Sequence, residues 1–401
     1  MSTASGGSQI YLHSLAGRDS TQAIARHGDG GPIGDLWHVL FAYRVKLRPF
    51  DEIIKRKWGF NLGVLMEEAH DRQRLFVATQ HFAGERFQDE HRRTLSLRCR
   101  SEPGGRRLQL SLLGKVCGPD PDTAARSALE YARELKSIFP YEYQLSPATT
   151  PEEFQACSGQ DLLLRCTHPG TLVEIERFET EIGPGPDRCY LPGAWGNSAR
   201  SNEQIWRALA GAGQAVLFSV MLRPEPLQEQ NLAVLLQITQ DLQKSLAQPA
   251  VALPHGGGTG QLAAAGAAIN RQEYLRYAAR QYGRLAAALR RPYLVQVHLA
   301  APDGLPKYLL RAVGAALTYT EKPEQEGALV PGFQVSSAQI PAVAQEWIGR
   351  LQSLEPNPGA GSGIDPRFQS VRRLVDLQDA CFLFRWPLPP ENGLPDMELA
   401  G

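Results

Sequence analysis

The chain has 401 residues, is 43% hydrophobic and 21% charged, and carries 42 Lys plus Arg against 42 Asp plus Glu. Length and composition point to two or three ordinary globular domains. The zero net charge argues against a protein that coats nucleic acid non-specifically, because that mode rests on many phosphate contacts. No run of about 18 apolar residues occurs, so no transmembrane helix and no membrane insertion are expected.

Met1 to Gly34 is rich in Ser, Gly and Asp and lacks the apolar core of a secretory signal; residues 1–34 read as a flexible tail ahead of the first domain. The six cysteines (Cys99, Cys117, Cys157, Cys166, Cys189 and Cys381) form no Cys-x-x-Cys pair and have no His at ligand spacing. They are expected to be small buried hydrophobes in a cytoplasmic protein.

The fold class expected is α+β: two or three small mixed units, each a sheet with one or two covering helices. Unit one, residues 35–146, begins with an apolar stretch, Leu36 to Leu47, whose alternating second half reads as a strand. Leu75 to Thr79 reads as a second strand. Thr94 to Arg100 and Arg107 to Leu113 alternate around a Gly-containing turn and form a hairpin. Asp120 or Asp122 caps a helix with Pro121 in its first turn and Pro140 beyond its end. A short strand, Tyr141 to Leu145, closes the unit.

Unit two, 147–250, offers strand candidates at Leu162 to Cys166 and Leu172 to Phe178. Asn202 caps a helix around Trp206 that stops at Gly211 and Gly213. Gln214 to Leu222 is the most apolar run of the chain and reads as a central strand. A Leu-rich helix follows, from Leu227 to Leu246. Residues 251–269 form a Gly/Ala-rich linker. The third unit, 270–356, has a helix from Arg271 to Leu289, a strand Tyr293 to Leu299, and helices Lys307 to Tyr319 and Ala338 to Leu354. Residues 357–401 comprise a second linker and a C-terminal lead-in segment.

A nucleotide-binding P-loop needs Gly-x4-Gly-Lys-Ser/Thr. The one Gly-Lys pair, Gly114-Lys115, is followed by Val116 and has Gln109 in place of the first Gly. The chain is therefore not expected to be an NTPase, and no cofactor or metal is expected. His255-Gly256-Gly257-Gly258-Thr259-Gly260 has no preceding strand and reads as linker, with an anion site as the lesser alternative. His70-Asp71, His81, His91 and His168 are scattered, and Asp51-Glu52 and Glu67-Glu68 read as surface charges. No Gly-x-Ser-x-Gly or His-Glu-x-x-His motif occurs, so no enzyme is expected. Arg276, Arg280 and Arg284, at i, i+4 and i+8, stack along one helix face with Tyr277 interleaved. A solvated face is the bland reading, and a nucleic-acid or acidic-partner face the sharper one.

Two segments carry a family resemblance. Val216 to Pro224, ending Leu222-Arg223-Pro224 ahead of a Leu-rich helix, and the aromatic, proline-rich Phe382-Leu383-Phe384-Arg385-Trp386-Pro387-Leu388-Pro389-Pro390 resemble the region before the motor in HerA-like and conjugative type IV secretion-like DNA-translocating ATPases. In that family the Walker-bearing core would follow the lead-in; here the sequence stops at Gly401, and no catalytic residue carries over. The resemblance implies an adaptor or assembly module that partners a P-loop ATPase, with Phe382, Phe384, Arg385 and Trp386 as an interface segment. The alternatives are a self-associating scaffold of a secretion or phage-defence complex and a DNA-binding accessory protein.

Overall fold

In the computed structural model the described residues are 10–16, 37–49, 53, 61–82, 93–104, 107–177, 179–182, 189–192, 195–196, 201–225, 229–247, 272–287 apart from 274, 277, 281 and 285, then 292–319, 332–357, 373–388 and 397–399. The chain is α+β, and ten of its described strands join in one antiparallel sheet, β7 and β8 forming a separate two-stranded one. In chain order the elements are β1 (His13–Ala16), β2 (Trp37–Leu47), α1 (Leu62–Phe82), β3 (Arg93–Ser101), β4 (Leu108–Gly118), α2 (Pro121–Ile138), β5 (Tyr143–Pro147), α3 (Pro151–Ser158), α4 (Gln160–Leu163) and β6 (Leu172–Arg177). Then come the hairpin β7 (Glu179–Ile182) and β8 (Cys189–Pro192), α5 (Ser201–Ala210), β9 (Leu217–Pro224), α6 (Glu229–Ala247), a helical stretch at 272–287, and β10 (Tyr293–Ala300). The last are α7 (Lys307–Thr318), β11 (Phe333–Ser337), α8 (Pro341–Ser353), β12 (Leu374–Val375) and α9 (Leu377–Leu383).

The main path of the sheet is β1-β2-β4-β3-β9-β10-β6-β11, with β5 also on β2 and β12 also on β10. Cut between β3 and β9, it separates into two copies of one topology. The first copy runs β2-α1-β3-β4-α2-β5, with spatial order β5-β2-β4-β3. The second runs β6-α5-β9-β10-α7-β11, with spatial order β11-β6-β10-β9. Each is a split β-α-β (ferredoxin-like) unit. The copies join edge to edge through β3 and β9, Leu97 opposite Val220 and Arg98 opposite Ser219. Each copy is followed by a helix, α3 or α8, on the far face. The main asymmetry lies between the two inner strands of each copy. β3 and β4 follow each other directly as a hairpin, whereas β9 and β10 are separated by α6 and the helical stretch at 272–287.

Period-two alternation divides the sheet into two faces. On one face Val39, Phe41, Tyr43 and Val45 of β2, Leu95 and Leu97 of β3, Phe218, Val220 and Leu222 of β9, and Val295 and Val297 of β10 form the principal core. They pack against Phe76 of α1, Tyr131 and Leu135 of α2, Trp206 of α5, Val313 of α7 and Phe382 of α9. Gly114 is required here, since a Cβ would enter the Phe41 ring. Smaller clusters on the opposite face seat α3, α4 and α8.

The capped helix at 121–138 forms as expected: the Asp120 carboxylate accepts from Thr123 N at 2.8 Å and Pro121 sits in the first turn. The hairpin, β6, the buried central β9, and the helices at 229–247, 307–318 and 341–353 also match. Five expectations change. The strands of all three presumed units share one sheet, because long-range pairs such as β3–β9 cross the boundary drawn near 146 and β9–β10 cross the linker at 251–269. Leu75 to Thr79 lies inside α1, whose inward residues Leu65, Ala69, Gln73, Phe76, Val77 and Gln80 recur at helical spacing; a run of five residues is too short to settle the period. Leu162 to Cys166 is not a strand, because α4 starts directly from Gly159, which closes α3 in the left-handed region (φ 64°). Within the presumed N-terminal tail, residues 13–16 form an edge strand on β2. Asn357, assigned to the second linker, is buried.

Candidate functional site

Polar residues of the second face line up in one cross-strand row. Arg44 of β2 lies opposite Ser111 of β4, Ser111 opposite Arg98 of β3, and Arg98 opposite Ser219 of β9. Ser219 lies opposite His298 of β10, His298 opposite Glu174 of β6, and Glu174 opposite Ser336 of β11. Ser111, Arg98, Ser219, His298 and Glu174 are buried. Burying so many polar groups is tolerable only where each finds partners.

Arg98 sits beside the junction of the two copies, opposite Ser219. Its guanidinium donates to Ser158 O, the last residue of α3, and to Leu351 O, in the last turn of α8. One buried cation thus serves the negative ends of two topologically equivalent helices. Burial pulls its pKa down to about 9, so it stays cationic at neutral pH.

His298 and Glu174 lead to the right of the row. Burial, then the positive charges of Arg373 and Arg98, pull His298 down to about 3, so the ring is neutral. Asn357 Nδ2 lies 2.9 Å from His298 Nε2, which accepts in the corresponding tautomer. Gln296 grips the Asn357 backbone at both ends: Asn357 N donates to Gln296 Oε1 (2.9 Å) and Gln296 Nε2 donates to Asn357 O (3.1 Å). Arg373 donates to Glu174 (2.8 Å), to Glu176 (3.1 Å) and to Asn357 O. Ser336 Oγ donates to Glu176 at 2.7 Å.

To the left, Glu355 lies 3.5 Å from Lys115 Nζ and 3.7 Å from His38 Nδ1, and Cys117 Sγ is 3.6 Å from that same nitrogen. Residues 354–357 therefore run alongside the row as a strap, meeting it at His298. They leave α8 through Leu354, the one non-glycine described in the left-handed region (φ 52°).

Ser219, His298 and Glu174 are consecutive in the row, the residue types of a nucleophile–base–acid relay. The geometry does not assemble one. The Ser219 hydroxyl shares a hydrogen bond with Ser96 Oγ (3.1 Å), the imidazole is held by Asn357, and the pKa of His298 is far below that of a base working near neutral pH. Beside the row, a cleft lined by Glu174, Glu176, Arg177, Trp195, Val295 and Arg373 encloses about 20 Å³, room for a water rather than a metabolite.

The residues singled out from sequence fall elsewhere. Arg276 and Arg280 are exposed on the stretch at 272–287, while Tyr277 lies outside the described residues. Arg284 turns inward and pairs with Asp376 (2.7 Å) and Asp379 (3.5 Å) at the start of α9, so the three arginines do not act as one open face. Phe382, Phe384, Arg385 and Trp386 are buried, which corrects their reading as an interface segment. Trp386 contacts Phe76, Phe139, Tyr143 and Phe384 with ring centroids 5.0–6.0 Å apart, and Tyr143 Oη donates to Pro387 O at 2.7 Å. Gly114-Lys115 lies mid-strand in β4. His70, Glu67 and Glu68 lie on α1, where Glu68 pairs with Arg72 (3.4 Å), and His81 bonds Pro292 O (2.8 Å). Asp51-Glu52, His91 and 255–260 lie outside the described residues. Cys99, Cys117, Cys157 and Cys166 are buried and Cys381 partly so, while the side chain of Cys189 lies outside the described set.

Among the described residues no cluster of three or more His, Cys, Asp or Glu could hold a metal, and no helix is long and apolar enough to cross a membrane. No protein-family model matches the chain, and no curated protein matches it significantly.

Proposed function

We propose that this chain is a non-catalytic assembly or adaptor module that partners a HerA-like or type IV secretion-like ATPase motor. The observation that carries the reading is how the seam uses its ionisable groups. Arg98, Lys115, Glu174, Glu176, Glu355 and Arg373 each bind the chain's own backbone or side chains and fasten α3, α8 and the strap to the sheet. Groups placed to hold a fold rigid suit a part that positions another protein. The sequence resemblance supports the choice of partner: β9 ends Leu222-Arg223-Pro224 ahead of the helix α6, and the aromatic lead-in is packed as part of the module.

The test is co-expression with a HerA-like ATPase motor. Co-elution with a dissociation constant of about 1 µM or tighter, together with altered ATP turnover by the motor, is expected. Separate elution with unchanged turnover overturns the proposal.

A further inference from the structure

We propose that the opening between β2 and β4, at the C-terminal end of β2, is a strand-accepting site for an extended acidic peptide of a partner protein, which the chain's own residues 397–399 fill in cis. The inference goes beyond the adaptor reading and stands or falls separately from it.

The β2–β4 ladder runs in register from Trp37 opposite Gly118 to Val45 opposite Leu110, and its continuation would set Leu47 against Leu108. Each of those residues instead bridges to a later segment, Leu47 to Leu399 and Leu108 to Met397. Leu47 has Tyr143 of β5 on its other side, and Leu108 has Ser101 of β3. The segment therefore lies between the two strands, where they part. Leu47 N donates to Glu398 O at 2.9 Å, and Met397 packs against the principal core. The Glu398 carboxylate lies 3.0 Å from Lys46 Nζ and 3.5 Å from Arg44 Nε.

The second copy opens at the equivalent place. β6 and β10 pair as far as Val297 opposite Ile175, and Val295 N donates instead to Arg373 O (3.4 Å). β12 then takes the position beside β10. The charges are inverted there, since Arg373 meets the carboxylates of Glu174 and Glu176. A gap between the first and third strands, filled by a later segment of opposite charge, thus recurs in both copies. The two fillings differ in anchorage. β12 runs through Asp376 directly into α9, whose Phe382 and Leu383 are buried in the core. Residues 397–399 are held by single bridges and by ion pairs of partly exposed side chains, which contribute little. Leu399 is 57% exposed.

The filling of the first copy is therefore the exchangeable one, and its chemistry defines the ligand. A competitor is extended, so that its backbone reaches Leu47 and Leu108. It carries a carboxylate between two apolar residues, as Glu398 stands between Met397 and Leu399, to meet Arg44 and Lys46. A tethered occupant acts at an effective concentration on the order of mM, so the wild-type site admits little of a weak competitor.

Fluorescence anisotropy with a labelled peptide of the sequence of residues 391–401 tests this on the full-length chain. Glu398→Arg in the chain sets like charges against Arg44 and Lys46 and should free the site. The peptide should then bind saturably, at least about tenfold more tightly than to the wild-type chain, with Glu398→Gln between the two. A peptide carrying the Glu398→Lys change should bind at least about threefold more weakly, and so should the original peptide when Lys46→Glu is added to the Glu398→Arg chain. No binding to the Glu398→Arg or Glu398→Gln chain with a native circular dichroism spectrum, equal binding to wild type, or indifference to either charge reversal overturns the proposal.

Discussion

Replacing Arg98 by Met removes a buried cation while keeping a side chain of similar length. Two carbonyls, Ser158 O and Leu351 O, then lose their donor, each at about 1–3 kcal/mol for a buried polar group left unsatisfied. Against that loss of about 2–6 kcal/mol stands the relief of no longer burying a guanidinium, a desolvation cost of several kcal/mol only partly offset by the helix ends. The net expectation is a destabilisation of about 2–4 kcal/mol, a large share of a typical 5–15 kcal/mol. Urea denaturation at unchanged m-value measures it. The loss should also be localised: amide exchange should quicken together at 151–158 and 341–353, and stay slow in α2 and α7 across the sheet. Arg98→Lys keeps the charge but not the fork, and should lie between wild type and Arg98→Met. A midpoint change worth less than about 0.5 kcal/mol, or protection lost at only one helix, would refute the view that one arginine fastens both.

Acid should weaken the fold through His298. Its folded pKa of about 3 lies below its ordinary value of 6.5, so the unfolded chain binds a proton that the folded chain refuses. Stability is therefore full above pH 6.5 and falls as pH drops toward 3, by about 1.4 kcal/mol per pH unit for this one group. His70, pulled down to about 4 by burial and then by Arg385, acts in the same direction. His298→Gln should flatten the slope by one proton across that window, and an unchanged slope would remove His298 from the account. Trp386→Ala should cost about 3–5 kcal/mol by cavity formation, while Trp386→Phe should cost less than about 1.5. Wild-type thermal stability in Trp386→Ala would contradict its place in the core.

Local chemistry made the elements legible and hid their assembly. Asp120 with Pro121, the hairpin strands β3 and β4, and the apolar run into β9 each carry a signal within a few residues, and each forms as expected. The single sheet depends on pairs such as Arg98 with Ser219, which are far apart in sequence and leave no local trace. β6 shows the same limit more sharply. Val173 and Ile175 alternating with Glu174 and Glu176 is the pattern of a half-solvated strand, yet all four side chains are buried, because Arg373 and Ser336 arrive to satisfy the carboxylates. One signal was available: Ser219 interrupts the apolar run of β9, and a polar residue inside a central strand needs a partner on the face it points to.

The seam also answers a problem that the repeat creates. Two copies of one topology in one sheet offer each covering segment two similar places to land, and apolar packing alone discriminates weakly between them. Charge separates the places. Beside the row, β2 and β4 of the first copy present His38 and Lys115, and the strap brings Glu355 to them. The right side presents Glu174 and Glu176, and Arg373 arrives there. Exchanging the two would set Glu355 against two carboxylates and Arg373 against a lysine, each costly in a buried site. Between them Arg98 donates to the C-terminal carbonyls of one helix from each copy and so binds both. The row thus runs from basic to acidic across the junction, and the chain that covers it carries the opposite sequence of charges, which fixes its register on a nearly symmetric sheet.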